Sequence, residues 1–287
     1  MLQLRIAVAR EAADDLLTRS TEVDVHRRGS LQIDDVRAWA SSAGLEAQRL
    51  APGSSADPVV WADVTQQAYE DAEPTWTFMS VISLATIIAA VAIVLDSQIL
   101  VIGAMVIGPE FGAIDALGVG LVRRRVNLLG RAATTLVSGF AVGILVTLLL
   151  ALLARAVGCL DVGDITADRP QTGFVYTPDR WSFVVALVAA SAGVLALTSA
   201  RVGALSGVFI SVTTIPAAAN IALGIAFWQP DEISGSVQQL ALNVAGMALA
   251  GWATLAVQQS VWTSVSRHRA RLVQGLRARR RAGRLAE

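Results

Sequence analysis

At 287 residues, 54% hydrophobic and only 16% charged, with a mean hydropathy of +0.56, the chain lies outside the range of soluble globular domains and reads as a polytopic membrane protein. Its formal net charge is zero, yet all 23 basic residues are arginine and they fall in clusters. A single cysteine, Cys159, and two histidines exclude an intramolecular disulfide and a Cys/His metal site, so no metal or cofactor is expected.

Residues 1–57 carry a polar pattern of their own. LQLRIAVAR alternates like a strand, EAADDLLTRSTE has helical apolar spacing, SLQI suits a second strand and DDVRAWASSAGL a second helix. This is a small α/β domain of marginal size for independent stability. It lacks the long apolar core of a signal peptide, so the amino terminus is expected in the cytoplasm. APGSSADP reads as a linker. Residues 58–74 then form a connector with a short, weakly amphipathic helix, either an interfacial element coupling the domain to the membrane or a plain tether.

Six uncharged or nearly uncharged segments follow, each near the roughly 20 residues that a membrane helix needs. They are 76–95, 98–122, 132–156, 181–200, 202–228 and 235–262, and none alternates as a barrel strand does. Arg123, Arg124, Arg125 and Arg131 follow the second, Arg201 the fourth, and eight arginines between Arg267 and Arg284 the sixth. The opposite loops carry Asp96, Asp161, Asp164, Asp168, Asp179, Asp231 and Glu232 against Arg169 and Arg180. Arginine-rich loops stay inside, so both termini are expected in the cytoplasm of a multi-pass cell-membrane protein. Trp76, Trp181, Trp228 and Trp262 fall at span ends, where an aromatic belt belongs. The basic tail, 263–287, reads as an anchor on anionic lipid headgroups rather than a nucleic-acid-binding segment.

The second and fifth segments share a peculiarity. GAMVIGPEFGAIDALGVGL and GVFISVTTIPAAANIALGIAF each contain a proline, Pro109 and Pro216, followed by Ala-Leu-Gly at 116–118 and 222–224. Halves at 75–157 and 181–262 would each have three spans, an odd number, and so lie in opposite orientations, the inverted repeat of secondary transporters. Proline removes an amide donor and clashes with the preceding turn, so a kink or local unwinding with freed carbonyls is expected at both positions, facing protein or a polar cavity. The expected fold is mainly α: six transmembrane helices in two inverted three-helix repeats behind a small cytosolic α/β domain.

The run LDSQILVIGAMVIGPEFGAIDALGVGLVRRR, with SLATIIAAVAIV before it and LTSARVGALSGVFISVTTIPAAANIALGIA after it, resembles the bacterial membrane family designated domain of unknown function 389. The resemblance covers about residues 75–262 and is most specific at GAMVIGPEFGAI. It implies a multi-span protein with a cytosolic ferredoxin-like domain, of which the shorter soluble part here would be a partial version. Many relatives carry Ser-Pro-Leu-Met-Gly-Pro at this motif, so Glu110 is particular to this chain or its subgroup. The family brings no substrate with it.

Glu110 and Asp115 are the sharpest candidates. A carboxyl group in a low-dielectric site is costly to ionise and can exchange a proton, the property a proton-coupled carrier needs. On an unbroken helix their side chains lie about 140° apart, so both face protein only if the Gly-Pro break swings one round. The alternative is an acid near the headgroups paired with Arg123 or Arg124. Thr213, Thr214 and Asn220 flank Pro216 and either bond their own helix or contact a solute. Asn243 suits an interhelical hydrogen bond. The pairs Gly139/Gly143 and Gly203/Gly207, and Gly246 with Gly251, fit close helix packing within or between subunits, which leaves a homo-oligomer open.

No protease, zinc-hydrolase or Ser/His arrangement lies in the spans, so no enzyme and no catalytic residue is expected. The expected function is a secondary carrier of an unknown small solute or ion, with proton coupling as an option. Its site would lie between the broken helices at Pro109, Glu110, Asp115, Thr213, Thr214, Pro216 and Asn220. The alternative is a non-transporting scaffold or sensor acting through the cytosolic domain and oligomerisation.

Overall fold

All six apolar segments are mainly helical where the structure describes them, the second being interrupted at Gly108 and Pro109. This computed structural model describes residues 61–166, 168–175, 180–198 and 213–284, together with Leu16 and Ser20. The expected α/β domain at 1–57 lies outside the described residues, as do Arg201, Gly203 and Gly207. Among the described residues the secondary structure is helical and contains no strand.

The helices are α1 (Trp61–Asp71), α2 (Trp76–Val94), α3 (Gln98–Ile107), α4 (Glu110–Val122), α5 (Val126–Ala156), the short α6 (Val162–Thr166), α7 (Arg180–Thr198), α8 (Thr214–Phe227) and α9 (Pro230–Arg284). Three stretches are long and apolar enough to cross a membrane, Trp76–Val94, Val126–Ala156 and Pro230–Val261. The pair α3 and α4 makes a fourth if counted as one span, bent by 57° at its break. Phe183–Ala196 and Thr214–Phe227 are shorter apolar helices. The basic tail continues the last helix as far as Arg284.

The chain divides into two compact units. One comprises Met1–Val64, Thr198–Arg201 and Val257–Glu287; within it Gln258 Nε2 donates to Thr198 Oγ1 at 2.9 Å. The other, Thr65–Leu197 with Val202–Ala256, holds the apolar core.

In this larger unit α2 and α5 pack along the small side chains of α5. A Cβ on Gly139 would come within 2.5 Å of Phe78 Cε1, and one on Gly143 within 2.9 Å of Thr86 Oγ1. Large apolar residues on the opposite faces remain open, Leu84 and Val91 on α2 and Val137, Leu145 and Leu149 on α5. Such outward faces are what a lipid-facing helix presents. Trp76, Trp181 and Trp228 are 86%, 75% and 83% exposed at the helix ends, where anchoring aromatics belong.

The small-residue rule reaches its limit at Gly118. Its missing side chain lets α4 approach the α9 backbone, and an added Cβ would lie 3.1 Å from Trp252 N and 3.2 Å from Gly251 C. Backbone cannot rotate away as a side chain can. Gly118→Ala is therefore expected to destabilise the protein by about 1–3 kcal/mol in thermal unfolding in detergent. Gly103→Ala, where a Cβ meets nothing within 4 Å, should be neutral or slightly stabilising.

Helix α1 is more than a tether. Ala68 and Ala72 are fully buried, and Thr135 Oγ1 of α5 donates to the Ala72 carbonyl at 2.6 Å. The end of the connector is thus fastened into the helical core.

Pro216 lies in the first turn of α8, where the missing amide would have had no intrahelical partner. The helix starts just after Thr213, whose φ of 36° is left-handed. Pro109 likewise caps the start of α4, with α3 already ended at Ile107.

Candidate functional site

Gly108 and Pro109 separate α3 from α4, so Glu110 becomes the first residue of a new helix. An acid suits that position, because the amides of the first turn are unsatisfied and carry partial positive charge. Glu110 is buried, with 1% of its surface exposed. Across the break α8 also begins, and Thr214 Oγ1, from its first residue, donates to Glu110 Oε1 at 2.6 Å. Two helix amino termini therefore meet at one carboxylate. Gly108 makes room for this: a Cβ there would run into the Glu110 carboxylate and come within 2.9 Å of Ile215 Cγ1. The groups freed here include amide donors of two helices, not only the carbonyls expected from a proline kink.

Thr213, at the left-handed turn ahead of α8, is held from α9. Gln239 Nε2 donates to its Oγ1 at 3.2 Å, and Asn243 Nδ2 donates to the same oxygen. Asn243 makes the hydrogen bond between helices that its sequence position suggested. Thr213 and Thr214 bond to other helices, not to their own.

Asn220 lies two turns farther along α8, roughly 10 Å from Thr213 by helical rise. It belongs to a different group. Arg169 Nη1 donates to Asn220 Oδ1 at 3.2 Å, Arg169 Nη2 pairs with Glu232 Oε1, and Asn220 Nδ2 donates to Ser236 Oγ at 2.9 Å. The Arg169 and Glu232 side chains are 3% and 14% exposed. Arg169 comes from the segment between α6 and α7, which is fastened by Asp96. The Asp96 carboxylate accepts from the Thr172 amide at 2.9 Å and hydroxyl at 2.8 Å, and from the Gln171 amide at 3.2 Å. Asp96 itself sits at φ 44°, a left-handed position that aspartate tolerates.

The α9 contributors to both groups are Glu232, Ser236, Gln239 and Asn243. Their spacing of four, three and four residues puts them on one face of the helix. Together with Thr213 and Asn220 they form a polar seam between α8 and α9 inside an otherwise apolar core. That spacing was visible in the sequence. Arg169 and Glu232 stand in the sequence as loop charges, and no local signal shows that Arg169 turns inward.

Asp115 is buried too, but the break does not bring it to Glu110. Both acids lie in the continuous helix α4, so they keep their separation of about 140° around its axis. Both are nonetheless buried because α4 is enclosed on several sides, with Ala113, Ile114, Ala116, Val119 and Gly120 buried as well. Asp115 pairs with neither Arg123 nor Arg124. Its neighbour is Asp71 at the end of α1, within electrostatic reach.

Asp71 is half-buried, and this burial holds its carboxyl above the usual carboxylate range, with Glu70 adding to the rise and the Gln67 hydrogen bond opposing it. The folded chain thus binds this proton more tightly than the unfolded one. Stability from this group is present in acid and is lost as pH rises through the elevated value. Asp71→Asn is expected to flatten that part of the stability–pH profile in detergent.

Among the described residues no group of three or more His, Cys, Asp or Glu side chains is arranged to hold a metal ion. Three of the described helices, or four with the bent pair α3 and α4, are long and apolar enough to cross a membrane, and two helix starts meet among them at a buried carboxylate, the marks of a helical membrane protein. The family model described as domain of unknown function (DUF389) matches residues 105–249, half of the chain, and the chain belongs to that family. The match runs from within α3 into α9 and includes Glu110, Thr214 and the polar seam. No curated protein and no solved structure matches the chain.

Proposed function

We propose that the protein is a secondary carrier of a small solute or ion, with its central site where α4 and α8 begin. The observation that carries this reading is the Thr214–Glu110 hydrogen bond at 2.6 Å, which joins two helix starts separated by 104 residues of sequence. Interrupted helices whose ends converge on a polar centre are the usual architecture of solute sites in carriers. A buried carboxylate that can take up a proton gives the site a means of coupling.

The full arrangement we infer is six spans in two inverted three-helix repeats, 75–157 and 181–262, with both termini in the cytoplasm of a cell-membrane protein. The order of helix, interrupted segment and helix in the first half, α2, α3 with α4, and α5, supports it. So does the correspondence of Glu110 and Thr214 as first residues of α4 and α8. Glu110 carries the exchangeable charge, Thr214 and Thr213 orient it, and the seam through Gln239, Asn243, Asn220 and Ser236 offers polar contacts toward Arg169. Asp115, Pro109 and Pro216 take part through the shape and charge of the two helix starts.

The test is flux. The full chain in liposomes, offered a panel of small ions and solutes under a pH gradient, is expected to show uptake that depends on the gradient. Absence of flux for every class of solute would favour a scaffold acting through its cytosolic domain.

A further inference from the structure

Helix α1 ends in a carboxylate that packs against α4. The Asp71 side chain lies against the backbone of Gly112 in α4: a Cβ on Gly112 would come within 2.9 Å of Asp71 Cγ, 3.0 Å of its Cβ and 3.1 Å of its Oδ2. Asp115 stands one turn farther along α4, on the same helix face as Gly112. It is 9% exposed, and its Oδ1 is buried with no hydrogen-bond partner among the described residues.

Among the described residues no ion pair joins an arginine to either carboxyl group, and no arginine contributes to the electrostatics of either. Glu70 beside Asp71 adds a further negative charge, and Gln67 contributes only a neutral donor, at 3.1 Å from Asp71 Oδ1. Helices α2, α3 and α8 carry no charged residue, and on α9 up to Ala256 the only charges are Asp231 and Glu232. Of the two arginines within the length of α5, Arg131 lies over the Tyr69 ring at 5.9 Å and Arg155 donates to the Ala226 carbonyl at 2.6 Å. Two carboxylates placed together without a cation cannot both stay ionised at low cost. Too few oxygens converge for a divalent ion, whereas a single O–H donor between two carboxyl groups needs no other ligand.

We propose that Asp71 and Asp115 form a proton-binding site, holding one proton between the carboxyl groups of α1 and α4. The proton enters from water at the α1 side, one carboxyl group becomes the acid whose O–H donates to the other, and loss to water reverses the step. The site would make α1 a working part of the membrane unit, able to report protonation to whatever precedes residue 61. It does not depend on the carrier reading, since a shared proton would exist whether or not a solute moves.

Infrared difference spectra of the full chain in lipid, stepped between acid and alkaline buffer, provide the test. One carboxylic-acid C=O band is expected to titrate from this pair. Its midpoint should move in Asp115→Asn, which leaves Asp71 to titrate alone. In Asp71→Asn and in Gly112→Ala, which moves Asp71 without removing a carboxyl group, the midpoint should be displaced by about one pH unit or more, as expected for strongly coupled groups. Glu110→Gln should leave this band in place, which separates the pair from the central site. A band unchanged in Asp71→Asn, or one that responds to replacing sodium by choline at constant pH, would overturn the proposal. Asp71→Asn keeps the test decisive even if Gly112→Ala does not fold.

Discussion

On the carrier reading proposed above, Glu110→Gln is expected to leave a folded protein whose pH-dependent flux falls by tenfold or more. Glutamine matches glutamate in size, and its amide oxygen can still accept from Thr214 Oγ1, which lies 2.6 Å from Glu110 Oε1 in the parent. What disappears is the charge at the start of α4, a favourable term of about 0.3–1 kcal/mol, and the capacity to exchange a proton. A tenfold loss of rate corresponds to about 1.4 kcal/mol at the barrier, well within the reach of one buried charge. Glu110→Ala differs because it leaves the Thr214 hydroxyl buried without its acceptor. That should lower stability by about 1–3 kcal/mol besides removing flux. The two variants separate a chemical role from a structural one: unchanged gradient-driven uptake in a folded Glu110→Gln protein would exclude Glu110 from transport.

Arg169→Met should be the most destabilising single change in the described core, by about 3–5 kcal/mol, because it strands Glu232 as a buried charge without its partner. Asn220 would also lose its donor to Oδ1, now at 3.2 Å. The double variant Arg169→Met with Glu232→Leu removes both charges and should recover most of the loss, since apolar replacement of a buried pair is often neutral or better. Thermal unfolding in detergent of the two singles and the double measures the coupling. Additive losses would mean that the two side chains are solvated separately in the membrane protein. The Asp96 clamp on Thr172 makes a second check available. Asp96→Ala should reduce the order of the segment that carries Arg169 while leaving the ion-pair residues themselves intact.

The sequence was most informative where physics is local. A run such as WTFMSVISLATIIAAVAIV has no charge and no alternation, so its helix is determined by the need to satisfy backbone groups away from water. Gly108 and Pro109 end one helix and start another, and Glu110 at a helix start is readable from the order of residues alone. Apolar length, arginine clustering and tryptophans at span ends likewise need no partner to be recognised. Two features depend on partners far along the chain. The start of α8 just after Thr213 rests on contacts from Gln239 and Asn243. The swing expected between Glu110 and Asp115 assumed that burial requires a single inward face, whereas α4 is covered on several sides.

By itself, then, the sequence determined that this is a chain of membrane-length helices with an interruption at Gly108–Pro109 and an acid just beyond it, because hydropathy and backbone chemistry act over a few turns. Only the tertiary structure decided what that acid meets. Thr214 is 104 residues away, Arg169 reaches Asn220 across 51 residues, and Asp71 reaches Gly112 because glycine leaves the space. Such pairings depend on which helix faces which, and a polar side chain inside an apolar core takes whichever partner the packing of the other helices brings within hydrogen-bond reach.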